Sequence, residues 1–265
     1  MPDPIELDGF ERFAFTFDGT THDVYRAGSG PAVIVIHEIP GIIPEVIAFA
    51  RRVIDAGFTA YMPSLFGTPG KPMTNGYTLA VTARCCVAKE FTTMALGRTS
   101  PIIAWLRTLA ADAHEACGGP GVGAVGMCFT GGFALGMMVD ERMLAPVLSQ
   151  PSLPFPVGGR RKAALGISDT DLARVKERAA EGVCLLGMRF TDDPVVRPER
   201  FETLRRELGD AFISVEIDSS SGNAHGFSKR AHSVLTHEFK DEPGHPTRDA
   251  LDRVLGLFRE KLLTG

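Results

Sequence analysis

The sequence predicts an α/β fold built on a doubly wound, mostly parallel sheet. Three observations carry that expectation. From residue 32 onward, apolar runs of strand length alternate with amphipathic runs of helix length, the pattern of repeated strand–helix units. Ala32-Val33-Ile34-Val35-Ile36 is apolar and largely β-branched, as suits a strand buried on both faces. No Pro/Gly/Ser-rich linker or charge run divides the 265 residues, so a single domain over 1–265 is expected.

The elements follow in order. His37-Glu38-Ile39-Pro40-Gly41 ends the first strand with a polar, turn-forming cluster. Pro44 suits the first turn of a helix that Gly57 stops after Ala56. Phe58 to Met62 reads as the next strand. Residues 67 to 99 are longer than a plain connection and contain Arg84, Cys85, Cys86, Lys89 and Arg98; they read as a surface helix or as a cover over a pocket. In the second case Arg84 or Lys89 would meet a bound anion. Ser100-Pro101 opens a helix with Trp105, Leu106 and Leu109 on its apolar face.

Gly121 to Met127 is a strand running into Cys128, and Gly131 to Val139 a tightly packed helix. Leu144 to Leu148 is a strand. Asp169 to Ala180 is a helix with Ser168 and Asp171 as a capping pair. Val183–Leu186 and Phe212–Ile217 are strands separated by the helix Pro198–Leu208, and an amphipathic helix spans roughly Asp249 to Leu263. Loops are expected near Gly67–Gly76, Pro151–Arg161 and Ser219–Gly222.

Composition narrows the function classes. The 28 basic and 32 acidic side chains leave a net charge of -4, without the basic excess of a nucleic-acid binder. No apolar run approaches the roughly 18 residues of a membrane span, and MPDPIELDGFERF has no signal-peptide core. A cytoplasmic protein is expected, a monomer or small homo-oligomer. The five cysteines, Cys85, Cys86, Cys117, Cys128 and Cys184, are odd in number and scattered, which argues for free thiols. CxxC and HExxH spacings are absent from the sequence, so no metal and no other cofactor is expected.

Ligands of doubly wound sheets gather at the carboxyl ends of the strands, and three such ends carry chemistry. Gly126-Met127-Cys128-Phe129-Thr130-Gly131-Gly132 has the small neighbours that a nucleophile on a sharp strand-to-helix turn requires. A helix start there would favour thiolate. Asp193 follows the strand Val183–Leu186, with Asp192 beside it, and His225 follows Phe212–Ile217 in Asn223-Ala224-His225-Gly226-Phe227. Taken singly these are a buried cysteine, a loop aspartate and a surface histidine. Together they stand in the order nucleophile, acid, histidine, which is that of α/β-hydrolases. Glu38, directly after the first strand, is either a strand terminator or a proton acceptor for the thiol.

These stretches resemble the dienelactone hydrolase (carboxymethylenebutenolidase) family, hydrolases of the α/β-hydrolase type with a cysteine nucleophile. The matching segments are Val35-Ile36-His37-Glu38-Ile39-Pro40-Gly41, Met62-Pro63-Ser64-Leu65-Phe66-Gly67, Gly126–Gly132, Asp193-Pro194 and Ala224-His225-Gly226-Phe227. The resemblance implies Cys128 as nucleophile, His225 as base, Asp193 as its orienting acid and Glu38 as acceptor of the thiol proton. It also implies an oxyanion hole from the N–H groups of Ile39 and Phe129, and a small-molecule activated ester or enol lactone as substrate. Two positions depart from the family pattern. Thr130 replaces a glycine two residues after the cysteine, where its branched Cβ would loosen the elbow. Lys229 replaces an arginine four residues after the histidine, keeping the charge without the bidentate fork. Two other classes remain open: a cysteine amidotransferase or DJ-1-like protein, against which the late Asp193 and His225 argue, and a non-catalytic small-molecule binder or thiol-based redox sensor of the same fold.

Overall fold

The computed structural model describes residues 5–87, 100–152 and 163–263. Eight strands form one sheet: β1 (Glu11–Phe17), β2 (Thr20–Gly28), β3 (Ala32–Ile36), β4 (Thr59–Pro63), β5 (Val122–Met127), β6 (Met143–Ser149), β7 (Leu185–Phe190) and β8 (Phe212–Ile217). The described helices are α1 (Pro44–Asp55), α2 (Asn75–Val87), α3 (Pro101–Cys117), α4 (Gly131–Met137), α5 (Asp169–Ala180), α6 (Pro198–Leu208) and α7 (Pro246–Leu262). The sheet order is β1-β2-β4-β3-β5-β6-β7-β8. Strands β3 to β8 are mutually parallel, while β2 pairs antiparallel with both β1 and β4. No described helix is long and apolar enough to cross a membrane.

Strand β3 shows why the sheet needs helices on both faces. Ala32, Ile34 and Ile36 point into one core cluster and Val33 and Val35 into the other, all fully buried. The first cluster is closed by Trp105, Leu106 and Leu109 of α3, Phe133 of α4, Val175 of α5 and Leu204 of α6. The second is closed by Val46, Phe49 and Val53 of α1 and Val254 and Phe258 of α7. An unbroken apolar strand is therefore stable only in this sandwiched position.

Most predicted elements appear within a residue or two of their expected bounds, including the Ser168 cap, whose Oγ accepts from Asp171 N at 3.1 Å. Two differences have physical causes. Strand β7 continues through Arg189 to Phe190 instead of ending at Leu186. The buried guanidinium is accommodated because Nε donates to Glu216 of β8 at 2.9 Å and Nη1 to the Val196 carbonyl at 2.8 Å. The hairpin β1–β2, outside the sequence expectation, turns at Asp18-Gly19, both at positive φ. Of the long connection expected to cover the site, residues 75–87 form α2; residues 88–99, with Lys89 and Arg98, lie outside the described residues. So does most of the loop Pro151–Arg161.

Phe258 is fully buried, with its ring centroid 5.8 Å from that of Phe58. Phe258→Ala is expected to lower unfolding free energy by about 3–5 kcal/mol. In urea denaturation this appears as a lower midpoint at unchanged slope; an unchanged midpoint contradicts the packing.

Candidate active site

Hydrogen-bonded register brings the site together. Ile36 of β3 pairs with Gly126 of β5, and Gly126 with Leu148 of β6. Two residues beyond those partners stand Glu38, Cys128 and Gln150, so three polar side chains leave the sheet at one level. The strand order reverses between β3 and β5, the switch point at which doubly wound sheets open a crevice.

Cys128 sits at φ 52°, a left-handed conformation uncommon for a side chain other than glycine. Its neighbours make that turn feasible. A Cβ on Gly126 would lie 2.3 Å from the Thr130 carbonyl oxygen, and one on Gly131 would lie 2.5 Å from Pro151 Cα. Thr130 tightens the elbow instead of loosening it. Its Oγ1 accepts from Met127 N at 3.0 Å and lies 3.0 Å from Ile36 O and 3.1 Å from His37 O. The hydroxyl thus replaces a glycine by a tie between β3 and the turn. Residues 128–130 form a single 3-10 turn ahead of the short α4. Ser152 closes the other side: its N–H donates to Cys128 O at 2.8 Å, and its Oγ is 3.4 Å from Sγ.

The histidine beside this cysteine is His232 and not His225. Nδ1 of His232 is 2.6 Å from Asp193 Oδ2, and Asp193 is buried, its Oδ1 accepting from Val195 N at 2.8 Å. The Cys128 sulfur, a Glu38 carboxylate oxygen and a ring nitrogen of His232 lie within 4.8 Å of one another. Burial opposes the charged imidazole, but negative charge on Cys128 and the bond to Asp193 outweigh it and hold His232 well above the usual histidine range. Asp192 is exposed, its N–H taken by Ser219 Oγ, so Asp193 is the carboxylate that meets a histidine.

His225 is placed elsewhere by its own loop. Asn223 Oδ1 accepts from Phe227 N at 2.9 Å, and its Nδ2 donates to Phe227 O at 2.8 Å. That clamp turns Phe227 into the core, against Phe190, and leaves His225 exposed. The His225 ring lies 5.2 Å from that of His245, at a separate cavity of about 520 Å³ also lined by Asp218, Asp249 and Arg253. The two histidines stand seven residues apart in one loop, each after an alanine. The one local signal for His232 is the run of hydroxyls behind it, Ser233 and Thr236.

Those hydroxyls hold Glu38. Its buried carboxylate accepts from Ser233 Oγ at 2.6 Å and Gln150 Nε2 at 3.3 Å on Oε2, and from Thr236 Oγ1 on Oε1. Gln150 is fully buried, at φ 35°. Its Oε1 accepts from Val234 N at 3.2 Å and from Ser149 Oγ, which orients the amide so that Nε2 faces Glu38. Ser233, Thr236 and Gln150 are site residues that sequence reasoning missed.

The other expected site residues divide. Phe129 is buried beside Phe66 and Phe133, and Ile39 is half-buried against the same cluster; both adjoin the site through Cys128 and Glu38. Lys229 and Arg84 are exposed, in the Ser228–Arg230 turn and on α2, and neither has a polar contact with Cys128, Glu38 or His232. With His232 as the partner of Asp193, the position four residues later is Thr236, a hydroxyl where Lys229 had been expected to supply a cation. His37 is fully buried and ties two loops: Nε2 accepts from Leu65 N at 3.1 Å, and Nδ1 donates to Glu38 O at 3.0 Å. Burial lowers its pKa to about 4.

A family model described as the dienelactone hydrolase family matches residues 18–262. No curated protein matches the chain. Among solved structures, a protein described as a putative dienelactone hydrolase from Klebsiella pneumoniae subsp. pneumoniae is 18% identical with a TM-score of 0.64, covering 95% of this chain and 98% of its own. A dienelactone hydrolase-like promiscuous phosphotriesterase from metagenomic libraries is 17% identical with a TM-score of 0.60, covering 96% and 98%. A cold-adapted esterase from an Arctic intertidal metagenomic library is 13% identical with a TM-score of 0.59, covering 97% of both chains. At these identities the likeness establishes the shared fold.

Two measurements check the site's electrostatics and its tie. In an NMR histidine titration His37 stays neutral down to about pH 4, while His232 stays charged at about pH 7. A neutral His232 at that pH contradicts its pairing with Cys128 and Asp193. Unfolding returns His37 to its ordinary pKa, so the unfolded chain binds more protons between about pH 4 and 6.5. His37 therefore makes stability fall with falling pH across that window, by about 1.4 kcal/mol per unit. Thr130→Val leaves Met127 N without its acceptor and is expected to cost about 1–3 kcal/mol; a neutral substitution means that the tie contributes nothing.

Proposed function

The chain belongs to the dienelactone hydrolase family, a family of hydrolases, and we propose from that premise that it cleaves an activated, uncharged ester or enol lactone through Cys128. His232 serves as the base, Asp193 orients it, and Glu38 receives the thiol proton. The observation that supports this most is the line Asp193–His232–Cys128, with a 2.6 Å bond at its acid end and the sulfur on a left-handed turn at the other. An acid fixing the tautomer and orientation of a histidine beside a nucleophile is the arrangement of a catalytic triad.

The steps follow from the groups present. Among the described residues Glu38 Oε1 accepts one hydrogen bond, from Thr236, which leaves it an acceptor site for the proton of Cys128. The thiolate, paired with protonated His232, attacks the carbonyl carbon. The N–H groups of Ile39 and Phe129 stabilise the oxyanion. Collapse breaks the carbon–oxygen bond, and an enolate or aryloxide departs, taking a proton from His232. Water, deprotonated by His232, then cleaves the thioester and returns the thiolate. A plain alkoxide leaves less readily than a thiolate, so a plain alkyl ester falls back to reactants; an enol or aryl ester goes forward.

Preference for an uncharged substrate is supported by the polar groups around the sulfur. Among the described residues these are Ser152, Ser233, Thr236 and Gln150, with no lysine or arginine in polar contact with Glu38, Cys128 or His232. The likeness to an esterase and a promiscuous phosphotriesterase fits hydrolysis of esters.

Turnover of p-nitrophenyl acetate tests this reading. Cys128→Ala and His232→Ala are expected to lower kcat/KM by about 10³-fold or more, while His225→Ala and Lys229→Ala stay within about twofold of wild type. Equal rates in wild type, Cys128→Ala and His232→Ala overturn the proposal. Loss of activity in His225→Ala alone returns the base to the residue expected from sequence.

A further inference from the structure

Among the described residues, the site concentrates negative charge without a matching cation. Glu38 and Asp193 are buried carboxylates, and the Cys128 sulfur lies beside them. Among the described residues, the one basic side chain in this group is the His232 imidazole. Asp193 has its ion pair with His232, and among the described residues Glu38 has only neutral partners, Ser233, Thr236 and Gln150. Buried charge of one sign calls for a counter-ion.

The arrangement is also that of a ligand set. A thiolate sulfur, an imidazole nitrogen and a carboxylate oxygen lie within 4.8 Å of one another. Nε2 of His232 is buried and has no hydrogen-bond partner. Nδ1 of the same ring is committed to Asp193, the carboxylate–histidine–metal relay that fixes the tautomer of metal-binding histidines. Glu38 is oriented by three donors, as ligating carboxylates are. Zinc bond lengths place neighbouring ligand atoms about 3.4–3.6 Å apart in a tetrahedral site, so closure needs movements of at most about an ångström from rotatable side chains. We propose that Cys128, His232 and Glu38 bind a single zinc ion, with the fourth position open, and that the bound ion holds the nucleophile in a reversibly inhibited state. Sulfur, nitrogen and oxygen donors together select zinc over magnesium or calcium. On binding, the sulfur and nitrogen direct their electron pairs to the metal, and any proton on either atom goes to solvent.

Cobalt(II) titration of the metal-free full chain tests this without turnover, so its result is independent of the hydrolase reading. One equivalent of Co²⁺ is expected to give a sulfur-to-cobalt charge-transfer band with tetrahedral visible bands, and Zn²⁺ should displace it. The band disappears in Cys128→Ala. Co²⁺ binds at least about tenfold more weakly to Glu38→Gln, and to His232→Gln as a second variant should Glu38→Gln not fold. His225→Ala and Cys117→Ala bind as wild type. Zn²⁺ should also abolish p-nitrophenyl acetate hydrolysis, and a chelator should restore it. A wild-type protein without the sulfur band, a band that survives Cys128→Ala, or unchanged affinity in both Glu38→Gln and His232→Gln overturns the proposal.

Discussion

Parallel pairing of β3, β5 and β6 sets the level at which their polar ends leave the sheet, and the site depends on it. Because Ile36, Gly126 and Leu148 are hydrogen-bonded neighbours, residues two places further on reach a common plane without any long-range adjustment. A slip of one residue in β5 would turn Cys128 to the opposite face, since side chains alternate along a strand. The Thr130 hydroxyl guards against such a slip by bonding to the carbonyl end of β3, at Ile36 and His37, from the far side of the turn.

The loop after β8 completes the site from outside the sheet. Within five residues it supplies His232 to Asp193, Ser233 and Thr236 to Glu38, and Val234 N to Gln150. The loop has no regular secondary structure of its own between residues 231 and 240, so these contacts are what hold it down. Fixing His232 and holding Glu38 are therefore one structural event. Among the described residues, the same contacts leave Glu38, Asp193 and Cys128 around one imidazole.

Much of this was legible in the residues. Strand β3 declared itself by an unbroken apolar run, Cys128 by glycines on both sides, and Asp193 by its place beyond β7. What could not be read was which loop histidine turns inward. His225 carries the better motif, with glycine and phenylalanine behind it, but Asn223 bends that segment so that Phe227 takes the buried position. The outcome depends on an amide clamp and on Phe190 across the core, neither of which is visible as a spacing. Gln150 was hidden for a similar reason: a lone glutamine after a strand has no signature until its strand is registered against the cysteine. Thr130 read as a flaw because a branched Cβ was weighed without the hydroxyl's acceptors. The continuation of β7 through Arg189 was masked by a charge that Glu216 neutralises from the adjacent strand.

The central claim is that Cys128 carries the acyl group. It is tested most directly by quenching the protein in acid during turnover of p-nitrophenyl acetate and mapping the acetylated peptide by mass spectrometry. The account predicts one acetyl group, on the peptide containing Cys128, labile to hydroxylamine as a thioester is. An acetyl group on Ser152, 3.4 Å from that sulfur, with Cys128 unmodified, would contradict it.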